Sequence, residues 1–314
     1  MSPRPRDAAP PQAQGEGRSK PAMTAPEAPT APASLTRKPL DEEIDVYGLT
    51  HTGKVRTVNQ DQFLLASLRK RMEVHLTSLP DVTRLKLEDD RLAFLAMIAD
   101  GVGGSANGAV ASRLALEQVT QYVTQSLRCY YGADAREASF IDVLQQAALQ
   151  THAEVLRHAS LDPDLEGMAT TLTVWIGVWP WVYVLQVGDS RYYVYRAGEL
   201  LRITRDQTIA QELVDRGVLT RTDAFDSRWA SVLSSAIGGP QTAPMVTRLQ
   251  SDWRNVHLLC TDGLTKHVSD ERIKQRLATM TSAKQVCEDL LQEALDGGGR
   301  DNITIIVGRT VRKD

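Results

Sequence analysis

The chain has 314 residues, of which 42% are hydrophobic and 24% charged, with a net charge of −3. This length predicts one large domain or two small ones, and the charge does not favour nucleic acid as a partner. No apolar run reaches the ~18 residues of a membrane helix, and the amino-terminal end has no apolar signal core. The three cysteines are far apart and form no disulfide or zinc pattern. We therefore expect a cytoplasmic protein without a membrane partner.

The first forty residues differ in composition from the rest of the chain. Nine of the fourteen prolines lie there, mixed with Ala, Gln and Ser. Such a stretch buries too little apolar surface to offset the entropy of ordering it. We therefore predict a disordered tail over 1–40 and a globular domain over 41–314. A tether or partner-binding arm is the functional alternative for the tail.

Strand-like and helix-like segments follow in clusters. Apolar runs and alternating patterns predict strands at 44–49, 62–68, 72–77, 92–99, 170–178, 181–187, 191–196, 255–260 and 303–307. Helical spacing predicts helices at 105–127, 140–158, 209–215, 270–280 and 282–295. Because strands cluster and helices occur in pairs, the strict alternation of a doubly wound parallel sheet is absent. The pattern predicts an α+β fold of two antiparallel sheets covered by helices.

A charged excursion interrupts this pattern at residues 69–91, between two predicted strands. We interpret it as an extended, solvated hairpin insertion. A part in substrate selection is the alternative.

Four aspartates share one local context, in which an apolar strand meets a turn containing Gly or Asn. They are Asp100, Asp189, Asp262 and Asp301, and a fifth, Asp61, opens a strand. Any one of them is explained by a side chain that caps turn amides. If the strand ends gather at one edge, however, the carboxylates converge and repel one another unless cations are bound. Oxygen ligands without His or Cys suit Mg²⁺ or Mn²⁺ better than zinc.

Other catalytic patterns are absent from the sequence. The six histidines show no zinc spacing, no cysteine is followed six positions later by Arg, and no Gly-x-Ser-x-Gly elbow occurs. The glycine-rich run from Gly101 to Ala106 imitates a dinucleotide-binding turn. Asp100 would place a carboxylate beside the pyrophosphate, which argues against that reading. Arg56 is an ordinary surface charge or, through its planar fork, a phosphate ligand.

In combination, these segments resemble the PPM family, the type 2C metal-dependent serine/threonine protein phosphatases, in its bacterial form. Each motif alone is common, whereas six in the family order are specific. The matching segments, which span about 44–307, are Gly53-Lys54-Val55-Arg56 with Asn59-Gln60-Asp61, Ala99-Asp100-Gly101-Val102-Gly103-Gly104, Met168-Ala169-Thr170-Thr171-Leu172, Val187-Gly188-Asp189-Ser190-Arg191, Cys260-Thr261-Asp262-Gly263-Leu264 and Arg300-Asp301-Asn302-Ile303-Thr304.

The resemblance implies a four-layer αββα sandwich of two antiparallel sheets flanked by helix pairs, with two or three Mn²⁺ or Mg²⁺ ions at one end. The resemblance implies that Asp100 bridges two ions and that the Gly101 carbonyl binds the first of them. Asp262 and Asp301 would bind the second ion, and Asp189 would bind a weaker third ion together with Asp262. Asp61 would bind through water. The resemblance also implies that Arg56 grips the substrate phosphate beside the catalytic Asp100 and Asp262. Asn302 is expected to orient its turn.

By this resemblance the chain hydrolyses phosphoserine and phosphothreonine on proteins with a metal-activated water, opposing bacterial serine/threonine kinases, and we expect a monomer. Val102 stands where some relatives carry a His that serves as a candidate general acid, and Ala169 stands where Gly is frequent. Residues 207–245 correspond to the family's variable flap. An inactive, partner-binding phosphatase fold and a phosphatase for small esters are the alternative functions.

Overall fold

A computed structural model of the chain describes residues 37–70, 90–102, 106–126, 137–225 and 227–313. The predicted tail up to position 36, the predicted strand 72–77 and most of the 69–91 hairpin lie outside the described residues. The described part begins at Arg37, whose guanidinium donates to Glu43 and lies over the ring of Trp253. The last four positions of the expected tail, 37–40, therefore lead directly into contacts with the domain.

The described residues form eleven strands and seven α-helices. The strands are β1 (Ile44–His51), β2 (Asp61–Lys70), β3 (Asp90–Val102), β4 (Ala169–Thr170), β5 (Leu172–Val178), β6 (Trp181–Val187), β7 (Arg191–Arg196), β8 (Glu199–Arg202), β9 (Met245–Gln250), β10 (Val256–Cys260) and β11 (Ile303–Thr310). The helices are α1 (Ala106–Gln125), α2 (Glu137–Leu161), α3 (Ile209–Asp215), α4 (Arg221–Phe225), α5 (Asp262–Thr265), α6 (Asp270–Ala278) and α7 (Ala283–Asp296), with short 3₁₀ helices at Asp41–Glu43 and Pro163–Leu165.

Two antiparallel sheets pack face to face. The first has the order β1-β11-β10-β7-β8, and the second has the order β2-β3-β5-β6-β9, with β4 paired to β3. One core lies between the sheets, a second joins the second sheet to α1 and α2, and a third joins the first sheet to α6 and α7. The predicted four-layer αββα architecture is confirmed.

Helix α7 shows why the pattern predicted these layers. Its buried residues include Val286, Leu290 and Ala294, which recur every four positions and form one apolar stripe. The helix begins where the Ser282 hydroxyl accepts a hydrogen bond from the Gln285 amide at 3.1 Å. The stripe packs against the first sheet and closes that outer layer.

The long strand β3 differs from the prediction, which ended it at position 99. It continues to Val102 because Gly101 and Val102 pair with Thr170 and Ala169 of β4. The structure also breaks the predicted strand 170–178 at Thr171 and adds the short edge strands β8 and β9. Edge strands carry weak apolar patterns since only part of their surface is buried, which is why the sequence did not indicate them.

Two cysteines within the described ranges, Cys260 and Cys287, are buried free thiols. None of the helices that the structure describes combines the length and the apolar character needed to cross a membrane.

Candidate functional site

Five carboxylates gather at one end of the sandwich. Asp61 is the first residue of β2 and lies opposite Asp100 near the end of β3. In the other sheet, Asp262 lies two residues after the end of β10, and Asp301 lies two residues before the start of the neighbouring strand β11. Asp189 lies in the turn between β6 and β7. The topology therefore places at one edge the strand-end aspartates that are far apart in sequence.

Asp61 is a buried carboxylate with one satisfied oxygen. Its Oδ2 accepts hydrogen bonds from the hydroxyls of Thr304 at 2.7 Å and Thr261 at 2.9 Å. Its Oδ1 is buried and has no hydrogen-bond partner among the described residues. Burial, helped by the charges of Asp262 and Asp301, raises the pKa of Asp61 to about 7 in spite of the two hydroxyl donors.

The backbone of Asp100 is fixed by hydrogen bonds, so its carboxylate remains available to interact with the other carboxylates of the cluster. Its amide donates to the Thr171 hydroxyl at 3.0 Å, and its carbonyl accepts from the Thr171 amide at 2.8 Å. Burial and then repulsion from Asp61 and the other three carboxylates raise the pKa of Asp100 well above its ordinary value.

Gly101 permits a close approach between β3 and helix α1. A Cβ atom at this position would lie 2.2 Å from the carbonyl oxygen of Gly108. Its amide donates to the Gln60 carbonyl at 3.2 Å, which ties the end of β3 to the residue that precedes Asp61. The next glycines of this run, at 103 and 104, lie outside the described residues.

The turn that carries Asp189 is held by Gln207, the first residue of the 207–245 region. Gly188 adopts a φ of 102°, the left-handed region that glycine favours. The Gly188 amide donates to Gln207 Oε1 at 2.8 Å, and its carbonyl accepts from the Gln207 amide at 3.1 Å. Burial and the nearby Asp262 raise the pKa of Asp189 well above its usual range. Helices α3 and α4 of the 207–245 region follow this anchor.

Asp262 and Asp301 are bridged by a lysine. The Lys266 ammonium lies 2.6 Å from Oδ2 of Asp262 and 3.0 Å from Oδ2 of Asp301. The Arg56 guanidinium contacts Asp301 from another side, with Nε 2.9 Å from Oδ1. Burial alone would raise the pKa of Asp301, but Lys266 and Arg56 outweigh it and hold that pKa below its ordinary value.

Asn302 connects the loop that carries Arg56 to the start of β11. Its Oδ1 accepts from the Gln60 amide at 2.9 Å, and its Nδ2 donates to the carbonyls of Thr52 at 2.9 Å and Val58 at 3.0 Å. One buried side chain thus fixes both ends of the segment between β1 and β2 in which Arg56 lies.

The carboxylate oxygens suit a hard divalent cation, although the described side chains do not form a preformed metal site. Within those ranges, no three His, Cys, Asp or Glu side chains are arranged to hold a metal ion. Oδ1 of Asp61 and Oδ1 of Asp262 are nevertheless buried without a hydrogen-bond partner in the described part of the chain. A cationic group already lies between Asp262 and Asp301. Buried, converging carboxylates require such positive charge, and their oxygens suit Mg²⁺ or Mn²⁺.

Sequence reasoning did not assign a role to three residues of this site. The hydroxyls of Thr261 and Thr304 hold Asp61 from positions about two hundred residues away, which no local pattern reveals. Lys266 lies four residues after Asp262, and that spacing brings two side chains together only if the segment is helical. The four-residue helix α5 was predicted as a turn, so this signal was missed.

An apolar cavity of about 100 Å³ opens between the sheets at the other end of the sandwich. Trp175, Trp179 and Trp181 are among the residues that line it. It meets β3 near Phe94, at the opposite end of the strand from Asp100. The carboxylate cluster, rather than this cavity, holds the groups that can do chemistry.

Comparison with known proteins points to one family. The family model described as protein phosphatase 2C matches residues 80–297. The serine/threonine protein phosphatase PstP of Mycobacterium tuberculosis is 34% identical over 222 residues, which cover 71% of this chain and 41% of that protein. The serine/threonine phosphatase Stp of Listeria innocua is 26% identical over 216 residues, 68% of this chain and 83% of the relative. The chain therefore spans about two fifths of the length of its mycobacterial relative.

A solved structure agrees with these matches. The catalytic domain of PstP, determined with two manganese ions, superposes with a TM-score of 0.67 at 30% identity and covers 86% of this chain and 99% of that one.

Proposed function

The chain belongs to the protein phosphatase 2C family, and from this premise we propose that it hydrolyses phosphoserine and phosphothreonine on proteins with the help of divalent cations. The observation that carries the proposal is the gathering of five carboxylates and one arginine at one end of the sandwich. No other part of the described chain combines buried, unsatisfied carboxylate oxygens with an exposed phosphate-binding cation.

The proposed metal ligands are the residues of this cluster. Asp100 would serve two ions and the Gly101 carbonyl one of them. Asp262 and Asp301 would hold the second ion, and Asp189 would hold a third together with Asp262. Asp61, oriented by two threonine hydroxyls, would bind through water. We propose two or three Mn²⁺ or Mg²⁺ ions, and the two manganese ions of the PstP domain support manganese.

Bound divalent cations would supply a nucleophilic water near neutral pH and compensate charge on the phosphoryl oxygens. The protein's own side chains do the rest. Arg56, half-exposed at the mouth of the cluster, binds the phosphate oxygens of the substrate through its guanidinium fork. Asn302 keeps the Arg56 loop in place, so that the phosphate is held against the carboxylates. Val102 carries no titratable group and cannot donate the proton that the leaving serine or threonine oxygen needs.

The proposed substrates are proteins that a serine/threonine kinase has phosphorylated. The curated relatives carry the name serine/threonine phosphatase. The buried free thiols of Cys260 and Cys287 support a reducing, cytoplasmic location.

The test is hydrolysis of a phosphothreonine peptide by the purified chain and its Asp262→Asn variant. Since loss of an outer-shell residue costs ~10–100-fold at metal sites, loss of this direct ligand should cost about a hundredfold or more in kcat/KM. Asp289→Asn on α7, which breaks an ion pair with Arg276 away from the cluster, is the matched control and should keep the parent rate. Undiminished activity in Asp262→Asn would contradict the assigned site.

Comparing substrates separates the remaining functions. The proposal expects a higher kcat/KM for the phosphopeptide than for a small aryl phosphate. A preference for the small ester would favour a small-molecule phosphatase. A folded parent that turns over neither substrate with Mn²⁺ or Mg²⁺ would favour a partner-binding module.

A further inference from the structure

Lys266 connects two of the carboxylates that are proposed to bind metal. It directly follows helix α5, one helical turn after Asp262. Its ammonium lies 2.6 Å from Oδ2 of Asp262 and 3.0 Å from Oδ2 of Asp301. Asp262 lies after the carboxyl end of β10, and Asp301 lies before the amino end of the neighbouring antiparallel strand β11. These two ends meet at the same edge of the sheet, where the positive charge of Lys266 connects them.

The two carboxylates depend on this lysine to different degrees. Asp301 also accepts from Arg56 and from the Asn302 amide. For Asp262, Lys266 is the one ion-pair partner in the described residues, and its other oxygen is buried without a hydrogen bond there. Without Lys266 or another cation, the Asp262 side chain would face Asp100, Asp189 and Asp61 with no ion-pair partner among the described residues.

We infer that Lys266 is a tethered cation that competes with the divalent ion for Asp262 and Asp301, and thereby sets the metal affinity of the centre. The inference rests on the proposed function, since it takes these two carboxylates as metal ligands. The ammonium lies against Oδ2 of both carboxylates and would repel a divalent ion bound to the same pair, so the two cations compete for it. Metal binding therefore favours the departure of Lys266, and metal loss favours its return.

The lysine has the freedom that such an exchange needs. Its side chain is 39% exposed, so the ammonium can move into water without a change in the backbone. A long, unbranched stem with a strongly hydrated charge suits this movement. Lys266 would then neutralise the cluster in the metal-free protein and lower its apparent affinity for metal.

The test compares Mn²⁺ binding by the full chain and by Lys266→Met, with free Mn²⁺ followed by electron paramagnetic resonance. Removal of the competitor should tighten Mn²⁺ binding about fivefold, the equivalent of one partly exposed ion pair. The same variant should unfold at a lower temperature in EDTA, and saturating Mn²⁺ should raise its unfolding temperature by more than it raises that of the parent.

Lys274 offers a matched control. Its side chain is 38% exposed and its ammonium lies 2.9 Å from Glu199, away from the cluster. Lys274→Met should leave the Mn²⁺ isotherm and the response to EDTA unchanged. Lys266→Gln, which keeps a hydrogen-bond donor without the charge, is the second variant and should also bind Mn²⁺ more tightly than the parent, even if Lys266→Met does not fold.

The outcomes are distinct. If the parent binds Mn²⁺ and both Lys266 variants bind it equally or more weakly, the competition is refuted and the proposed function stands. If the parent binds no Mn²⁺, both the inference and the metal-dependent function fail.

Discussion

Asp61 and Asp100 are directly paired across the antiparallel ladder of β2 and β3. Like charges directly opposite each other destabilise a sheet, and here Asp61 is buried and Asp100 partly buried. The fold thus holds two mutually repelling carboxylates at a position where a bound cation would reduce the repulsion. Burial first, and then repulsion from neighbouring carboxylates, raises the pKa of both residues.

Metal-free protein should lose stability as the pH rises from about 4 to about 7. Asp61 has a pKa of about 7 in the folded chain against an ordinary value of 3.8, so in this window the folded chain binds more protons at this residue than the unfolded chain does. The contribution of Asp61 to the free energy of unfolding is then fully present below pH ~4 and is lost through pH ~7, and it is on the order of a few kcal/mol. Urea unfolding in EDTA across this range measures the slope.

Asp61→Asn should reduce that slope, because the amide does not titrate, while Asp100 and Asp189, whose pKa values are also raised, keep part of it. Saturating Mn²⁺ should flatten it as well, since a bound cation favours the ionised carboxylates. A parent protein in EDTA whose stability rises over the same range would show that the cluster is not protonated in the folded state.

Arg56 should contribute to substrate binding and turnover more than its exposure suggests. Loss of the guanidinium in Arg56→Ala removes the bidentate phosphate ligand, and kcat/KM for a phosphopeptide should fall at least about tenfold. Arg56→Lys should recover only part of the loss, because an ammonium lacks the planar fork. Arg272→Ala is the control, since Arg272 has the same 47% exposure as Arg56 and pairs with Glu293 away from the site. Equal rates for Arg56→Ala and Arg272→Ala would remove Arg56 from the site.

Asn302→Ala should weaken both the fold and the substrate complex. The change removes the hydrogen bonds of Asn302 with the Gln60 amide and with the carbonyls of Thr52 and Val58, at a cost of about 2–3 kcal/mol in the free energy of unfolding. The loosened Arg56 loop should also raise KM for a phosphopeptide. Chemical denaturation and steady-state kinetics measure the two effects. Asn107→Ala, which removes one exposed hydrogen bond, should change neither by much, and an unaltered stability in Asn302→Ala would contradict the anchoring role.

Gly101→Ala should destabilise the protein through contact rather than through backbone conformation. The added methyl group would meet the backbone of Gly108 at 2.2 Å, and separating β3 from α1 should cost about 3 kcal/mol. Gly198→Ala tests strain without contact, since Gly198 has a φ of 84° and open space around it, and should cost only about 1 kcal/mol. Thermal and urea unfolding of the two variants should rank them in this order, and the reverse order would argue against close packing at Gly101.

The layers of the fold were predictable because their signals are local. Helix α3 was predicted with its observed bounds and α7 to within one residue at each end, since each begins at a capping Thr or Ser and α7 also carries an apolar stripe. The clustering of strands also gave the two antiparallel sheets. Strand β4, by contrast, forms because Thr170 pairs with Gly101, which lies far earlier in the sequence. Only the tertiary structure brings these two residues together.

The site was predictable as a set of aspartates, but not in its contacts. The strand-end context of Asp100, Asp189 and Asp262 is visible along the chain. The hydroxyls on Asp61, the anchoring bonds of Asn302 and the bridging position of Lys266 depend on segments that meet only in the folded protein. The sequence pattern indicates which charged residues belong to the cluster, whereas the structure shows which of them already have an ion-pair partner.

We propose that this cluster binds divalent cations and that these cations support phosphoester hydrolysis. The most direct measurement is the rate of phosphate release from a phosphothreonine peptide by the parent chain in Mn²⁺, then after excess EDTA, then after Mn²⁺ is restored. We expect turnover that is lost in EDTA and returns with the metal. A rate that persists in EDTA, from a protein freed of metal, would contradict this proposal.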